Sequence, residues 1–170
     1  SAKKSKHHLW INIAFITGVY FFAAGSGNHE VTNYLNTRFC EAGELKSELC
    51  NIISYNDDEF SHLIYYIGFI LLNVSLMTTE FTLPRKLAVS RRDLKLLWAN
   101  GLFIATGIFA NLAFEKIGLD LLFFGSMALL STYLAFFTGK SYKNLPVIFY
   151  LFISYGIGVV GTILYKFVVG

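Results

Sequence analysis

Charged residues are scarce in this sequence: only 15% of the 170 residues are Asp, Glu, Lys or Arg. Soluble domains of this size carry about a quarter of charged residues. The few charges are also segregated, so that long stretches contain none, while hydrophobic residues make up 55% of the chain. This scarcity excludes an ordinary soluble domain and indicates an integral membrane protein.

Ionisable residues are missing altogether from the middle of the first two apolar segments. No Asp, Glu, Lys, Arg or His occurs from Leu9 to Gly25 or from Leu63 to Thr79. Ion pumps and proton-relay transporters place ionisable groups near the membrane midplane. The pattern therefore argues against such a transporter, and a channel or carrier is only the third function class that we consider. Any chemistry is expected at the rims of the bundle.

Long apolar segments are what the sequence has instead. A membrane-spanning helix needs roughly 20 mostly apolar residues. Five segments meet or approach this length, namely 9–27, 61–81, 95–114, 117–138 and 146–168. We therefore predict an all-α, multi-pass transmembrane bundle of about five spans, forming a single membrane domain over residues 1–170 with an external loop at about 28–60.

The charges that are present divide by sign. Basic residues gather before the first span, in the segment 84–95 and at 140–143, whereas residues 26–60 hold seven acids against two bases. Because cytoplasmic loops are enriched in Lys and Arg, the N-terminus is predicted to be cytoplasmic and the C-terminus external. The basic isoelectric point reflects this sidedness, so we predict membrane lipids as partners and no nucleic acid.

The sequence has only two cysteines, Cys40 and Cys50, and both lie in the acidic loop that is predicted to be external. Disulfides persist in the oxidising compartments outside the cytoplasm. The spacing of ten residues fits neither a redox CxxC motif nor paired zinc knuckles. We therefore predict a structural disulfide between Cys40 and Cys50.

Histidines and acids accumulate where the first two spans meet the external loop. Antiparallel neighbours would bring the two helix ends to the same depth, and catalytic zinc needs three N or O ligands with one open position. The predicted metal ligands are His29, Asp58 and His62. Glu59 or Glu30 is the predicted general base for a metal-bound water.

Two other metal centres and one simpler interpretation remain open. Glu59 and His62 have the Glu-x-x-His spacing of di-iron proteins, but such proteins need two copies and two further Glu residues. A haem held by His29 and His62 is a weaker candidate than zinc, because both residues are predicted to lie near the rim. The simpler interpretation is that these side chains are helix caps and a solvated loop.

Glycines in the last apolar segment match the dinucleotide-binding fingerprint by letter, as Gly156-x-Gly158-x-x-Gly161. That fingerprint must follow a strand and open a helix, whereas these glycines lie within an apolar helix. Small residues on a membrane helix allow close helix packing. This face favours association, either as a homo-oligomer or within a larger membrane complex.

The residues at the external rim resemble the alkaline-ceramidase-like membrane hydrolases over about the first 60 residues. Gly25-Ser26 precedes His29, and Asp58-Glu59 opens the next span. The resemblance implies a zinc-activated water that attacks an amide, with Ser26 and Asp58 assisting. The sequence departs from that family in having no late His-x-x-x-His, a His29 only three residues after Ser26, and the loop with the cysteines.

These features lead to two hypotheses of different classes. The first is a membrane-embedded, zinc-dependent hydrolase that acts on a lipid-like substrate at the external face. The second is a non-enzymatic membrane subunit or a lipid-binding scaffold of a larger complex. Metal content and co-purifying partners distinguish the two.

Overall fold

A computed structural model describes residues 2–41, 47–85, 87–114 and 119–169. Every regular element within these ranges is helical, which confirms the predicted all-α class. The α-helices are α1 (Ala2–Leu35), α2 (Glu48–Tyr55), α3 (Ser61–Thr82), α4 (Arg91–Phe114), α5 (Leu119–Phe136) and α6 (Pro146–Val169). Two π-helical segments, Asn36–Glu41 and Asn56–Phe60, and a 3-10 turn, Tyr142–Asn144, complete the described elements.

Five helical stretches are long and apolar enough to cross a membrane, as the sequence predicts. They are Lys6–Glu41, Glu48–Thr82, Arg91–Ala113, Leu119–Phe136 and Pro146–Val169. These lengths are consistent with an integral membrane protein. The third and fourth stretches correspond to the predicted spans 95–114 and 117–138, of which residues 117 and 118 lie outside the described residues.

The predicted external loop at 28–60 is helical over most of its described residues. α1 continues to Leu35 and passes into the π-helical segment Asn36–Glu41. α2 begins after Ser47, whose hydroxyl accepts a hydrogen bond from the backbone N–H of Cys50 at 3.3 Å. A capping side chain of this kind satisfies an N–H that the first turn leaves without a partner. The second membrane-length stretch thus begins at Glu48, upstream of the predicted span 61–81.

The described residues form two units, 1–75 and 76–170, and a single domain over 1–170 stays a prediction. In unit 1, α1 and α3 run antiparallel with their backbones in close contact. A Cβ atom at Gly18 would lie 2.8 Å from the N atom of Leu72, and one at Gly25 would lie 2.5 Å from the N atom of Tyr65. Small residues let membrane helices approach in this way.

In unit 2, α6 packs against α4 and α5. A Cβ atom at Gly101 of α4 would lie 2.8 Å from Cγ2 of Ile153, and one at Gly158 of α6 would lie 2.8 Å from Cγ2 of Ile108. Ile148 and Ile153 are fully buried on α6. The small-residue face that the sequence indicates therefore serves, at Gly158, as a contact between α6 and α4.

The first turn of α6 is capped by a side chain from α3. The helix begins at Pro146, and the preceding Leu145 has no side-chain oxygen that can cap it. Instead, the two carboxylate oxygens of Glu80 accept hydrogen bonds from Val147 N–H at 3.0 Å and Ile148 N–H at 2.8 Å. A carboxylate at a helix N-terminus also interacts favourably with the helix dipole.

We expect Glu80→Ala to lower the free energy of unfolding by about 1–3 kcal/mol, because two half-buried N–H groups lose their acceptor. Glu80→Gln keeps one acceptor oxygen and should give a smaller loss. Thermal unfolding in detergent measures both variants. Equal stability of Glu80→Ala and the wild type would show that water replaces the carboxylate at this helix end.

Candidate functional site

The candidate site lies in unit 1, where the C-terminal third of α1 passes the π-helical segment Asn56–Phe60. Ser61 N–H donates to the carbonyl of Asn56 five residues earlier, which is the π-helical pattern. Asn28 Nδ2 donates to the same carbonyl across the helices at 3.3 Å. Single π-helical turns inside α-helices occur frequently at functional sites.

Asp57 is the buried carboxylate of this site, with only 5% of the residue exposed. A buried charge needs partners that replace water. Its Oδ1 atom lies 2.9 Å from Nδ1 of His29 and 3.2 Å from Oγ1 of Thr32, a hydroxyl that also lies 2.7 Å from the carbonyl oxygen of Asn28. His29 and Thr32 both lie on α1, so the Asp57 side chain forms contacts between helices and does not cap a helix.

The contact with Asp57 fixes the tautomer and the direction of the His29 ring. A carboxylate that accepts from Nδ1 assigns the proton to that nitrogen and leaves Nε2 with a free lone pair. The His29 side chain is 36% exposed, whereas its partner carboxylate is buried. His29 therefore combines a partly exposed ring with a buried carboxylate that orients it.

A second imidazole lies against the first. The ring centroids of His29 and His62 are 4.9 Å apart with a tilt of 48°. The ring of Tyr66 meets His62 edge-on at 6.3 Å, one turn further along α3.

The other predicted site residues are less closely associated. Asp58 is exposed and accepts a hydrogen bond from Ser54 Oγ at 3.2 Å. Glu30 and Glu59 are exposed, and Ser26 is half-buried one turn before His29. The metal-binding role of Asp58 and the catalytic roles of Glu30, Glu59 and Ser26 stay predictions.

The site offers part of the ligand set that zinc needs. His29 Nε2 and the His62 ring supply two nitrogen donors, and the contact of His29 with a carboxylate is the arrangement usual for zinc-bound histidine. Within the part of the chain that the structure describes, however, no three His, Cys, Asp or Glu side chains are grouped to hold a metal ion. Among the described residues no third ligand is grouped with the two histidines, and zinc stays a prediction from the sequence.

A disulfide joins Cys40 and Cys50 near the site, which confirms the predicted pair. The Cα atoms are 5.6 Å apart. Cys40 belongs to the π-helical extension of α1, and Cys50 belongs to the first turn of α2. The bond thus ties together the two segments that lead to His29 and Asp57.

Replacing both cysteines with serine should lower the stability of this part of unit 1 by about 2–4 kcal/mol, because the loop of ten residues is no longer closed in the unfolded chain. Thermal unfolding with and without reductant measures the effect. Reductant should destabilise the wild type and leave the double variant unchanged. A matching response of the double variant would assign the reductant effect to something other than this bond.

The sequence analysis did not assign three residues of the site: Asp57 as the partner of His29, Thr32 as the second α1 side chain in contact with Asp57, and Asn28. The sequence signal that could have indicated Thr32 is its position three residues after His29, on the same helical face. It could not select Asp57 over Asp58, because a π-helical turn changes which side of the chain each residue faces.

Comparison of the chain with protein-family models, with curated proteins and with solved structures finds no match.

Proposed function

We propose that this chain is a membrane-embedded hydrolase that acts on a lipid-like ester or amide. The observation that carries the proposal is the pair formed by buried Asp57 and accessible His29, whose Oδ1 and Nδ1 atoms are 2.9 Å apart. A carboxylate that orients a histidine through Nδ1 is the arrangement by which many hydrolases keep a general base in the required tautomer.

In the proposed reaction, water attacks the carbonyl carbon while Nε2 of His29 takes a proton from it. The resulting imidazolium is stabilised by the negative charge of Asp57. As the C–O or C–N bond breaks, His29 returns the proton to the leaving oxygen or nitrogen. The neighbouring His62 ring is the N–H donor that we assign to the developing oxyanion.

The same orientation of His29 would serve a zinc-dependent reaction. In that case Nε2 of His29 would bind the ion, which supplies an activated water, and a third ligand would have to come from a side chain that is not grouped with the two histidines. Elemental mass spectrometry on protein purified without chelator or immobilised metal decides between these roles. One equivalent of zinc that is lost in His29→Ala/His62→Ala supports the metal role, and metal-free active protein supports the general base.

The surroundings of the site support the choice of a lipid-like substrate. Below His62, α1 and α3 present aromatic rings in contact: Phe22 lies 4.7 Å from Tyr65, and Tyr65 lies 5.4 Å from Tyr66. The apolar part of a substrate that reaches His29 from the membrane would pack against these aromatic rings. We propose, from the charge distribution, that this end of the bundle is external and that the basic segments are cytoplasmic.

The activity test uses purified protein in mixed micelles with a panel of lipid esters and amides. Release of free fatty acid by the wild type and its loss in Asp57→Asn supports the proposal. Absence of hydrolysis across the panel, in protein whose helicity and disulfide are intact, refutes it. Cysteine-accessibility labelling from either side of sealed vesicles, with reporters near Glu59 and Arg91, tests the proposed sidedness.

The second candidate is a non-enzymatic subunit of a larger membrane complex or of a homo-oligomer. It is favoured by an apolar groove of about 740 Å³ between α5 and α6, whose lining includes Gly125, Gly156 and Gly161. Such small residues permit a further helix to approach closely. Co-purification of a stoichiometric partner in mild detergent, together with unchanged cellular function of His29→Ala/His62→Ala, would establish this role.

A further inference from the structure

A groove in unit 2 combines opposite charges at one end with apolar walls. It has a volume of about 590 Å³ and lies between the start of α4, the start of α6 and the connection before α4. Arg85 and Asp93 line its charged end, and Leu96 and Leu97 line its walls. None of these residues belongs to the site around His29.

The groove is held in shape by the backbone. Arg85 N–H donates to the carbonyl of Asn144 at 3.2 Å, and Val89 N–H donates to the carbonyl of Lys143 at 2.9 Å. Arg85 and Val89 are thereby held beside the turn that precedes α6. A groove that is already formed does not require ordering when a ligand binds, which lowers the cost of binding.

The two charges remain available for a ligand. Within the described ranges Arg85 forms no ion pair, and the neighbouring carboxylate of Glu80 already accepts hydrogen bonds from two backbone N–H groups. Asp93 uses Oδ2 to accept from Ser90 Oγ at 2.8 Å, which leaves Oδ1 open. The groove therefore offers one cation and one carboxylate oxygen.

Further polar groups lie deeper in the groove. Asn100 and Tyr150 also line the groove. At 1.5 Å per helical residue, Asn100 is about 10 Å along α4 from Asp93. The amide N–H of Asn100 and the hydroxyl of Tyr150 can donate hydrogen bonds to neutral carbonyl oxygens. The groove thus runs from charged groups, along apolar walls, to neutral donors.

We infer that this groove binds a phospholipid with a primary-ammonium headgroup, phosphatidylethanolamine. Arg85 binds the phosphate, and Asp93 accepts a hydrogen bond from the ammonium group. Asn100 and Tyr150 donate to the ester carbonyls, and the acyl chains pack on Leu96 and Leu97. A quaternary ammonium has no N–H to donate to Asp93, and an anionic headgroup would be repelled by it.

Native mass spectrometry of the detergent-solubilised chain tests the inference with phosphatidylethanolamine, phosphatidylcholine and phosphatidylglycerol of identical acyl chains. We expect phosphatidylethanolamine to bind about tenfold more tightly than phosphatidylcholine, the value of one hydrogen bond to a charged group. Asp93→Asn, which keeps an acceptor for Ser90, should abolish this preference. Arg85→Gln should weaken binding of all three lipids.

Two further variants keep the result interpretable. Tyr150→Phe removes only a hydroxyl and should weaken the binding of phosphatidylethanolamine severalfold without loss of fold. Arg91→Gln lies on the opposite side of α4 by helical spacing, outside the groove lining, and should bind like the wild type. Equal binding of phosphatidylethanolamine and phosphatidylcholine by the wild type, tighter binding of phosphatidylglycerol, or a preference that survives in Asp93→Asn would each overturn the inference.

Discussion

Asp57→Asn is expected to reduce lipid hydrolysis by about 10³- to 10⁴-fold while leaving the fold intact, as loss of the orienting carboxylate does in hydrolases with a His–Asp pair. The amide that replaces the carboxylate can donate to Nδ1 of His29, which favours the tautomer with the proton on Nε2. His29 would then present a proton where the reaction needs a lone pair. The fall should appear in kcat, measured by fatty-acid release at saturating lipid.

Asp58→Asn distinguishes the two interpretations of the site. The ligand set predicted from the sequence includes Asp58, so that it predicts loss of activity in this variant. The structure places Asp58 in an exposed position with Ser54 as its partner, so that the His29–Asp57 pair predicts activity close to the wild type. An inactive Asp58→Asn beside an active Asp57→Asn would reject the proposed general base.

Gly25→Ala is expected to destabilise unit 1 by about 3 kcal/mol, at the upper end of what overpacking costs, because the added methyl group meets backbone atoms. The new Cβ would lie 2.5 Å from the N atom and 2.7 Å from the Cα atom of Tyr65. Backbone atoms of α3 cannot move aside as a flexible side chain can. Titration with denaturing detergent, followed by helicity, measures the loss.

Gly27→Ala is the matched control, two residues further along the same helix. A Cβ atom at Gly27 would have no heavy atom within 4 Å among the described residues. Replacing glycine with alanine in an open helical position stabilises it by about 0.5–1 kcal/mol. Similar effects of both substitutions would mean that α1 and α3 are not in contact at Gly25.

Most of the helical fold could be predicted from hydropathy, because a membrane span must be apolar over a fixed length. The polar ends of the spans could not be delimited in this way. The segment after Gly27 carries His29, Asn33 and Asn36 at helical spacing, but its polarity also suits a loop. Helix formation there depends on contacts with α2 and the π-helical segment at 56–60, which are tertiary contacts that sequence periodicity does not reveal.

The residue types of the candidate site could be predicted from the sequence, but their arrangement could be predicted only in part. His29 and His62 lie together as their positions at the facing ends of two antiparallel helices imply. The choice of carboxylate was different, since consecutive acids at 57–59 are equivalent by charge. Only the π-helical turn buries Asp57 and exposes Asp58, and hydrophobic patterning carries no signal for such a turn.

The length of α1 bears on which bond of a lipid the proposed enzyme would cleave. Its 34 residues extend for about 51 Å at 1.5 Å per residue, whereas the hydrocarbon layer is about 30 Å thick. With 9–27 in that layer, His29 stands just past its boundary, level with the linkage between headgroup and acyl chain. Regioselectivity would then follow from depth alone: bonds in the middle of a chain stay out of reach, the freed fatty acid partitions into the bilayer, and the polar fragment departs into water.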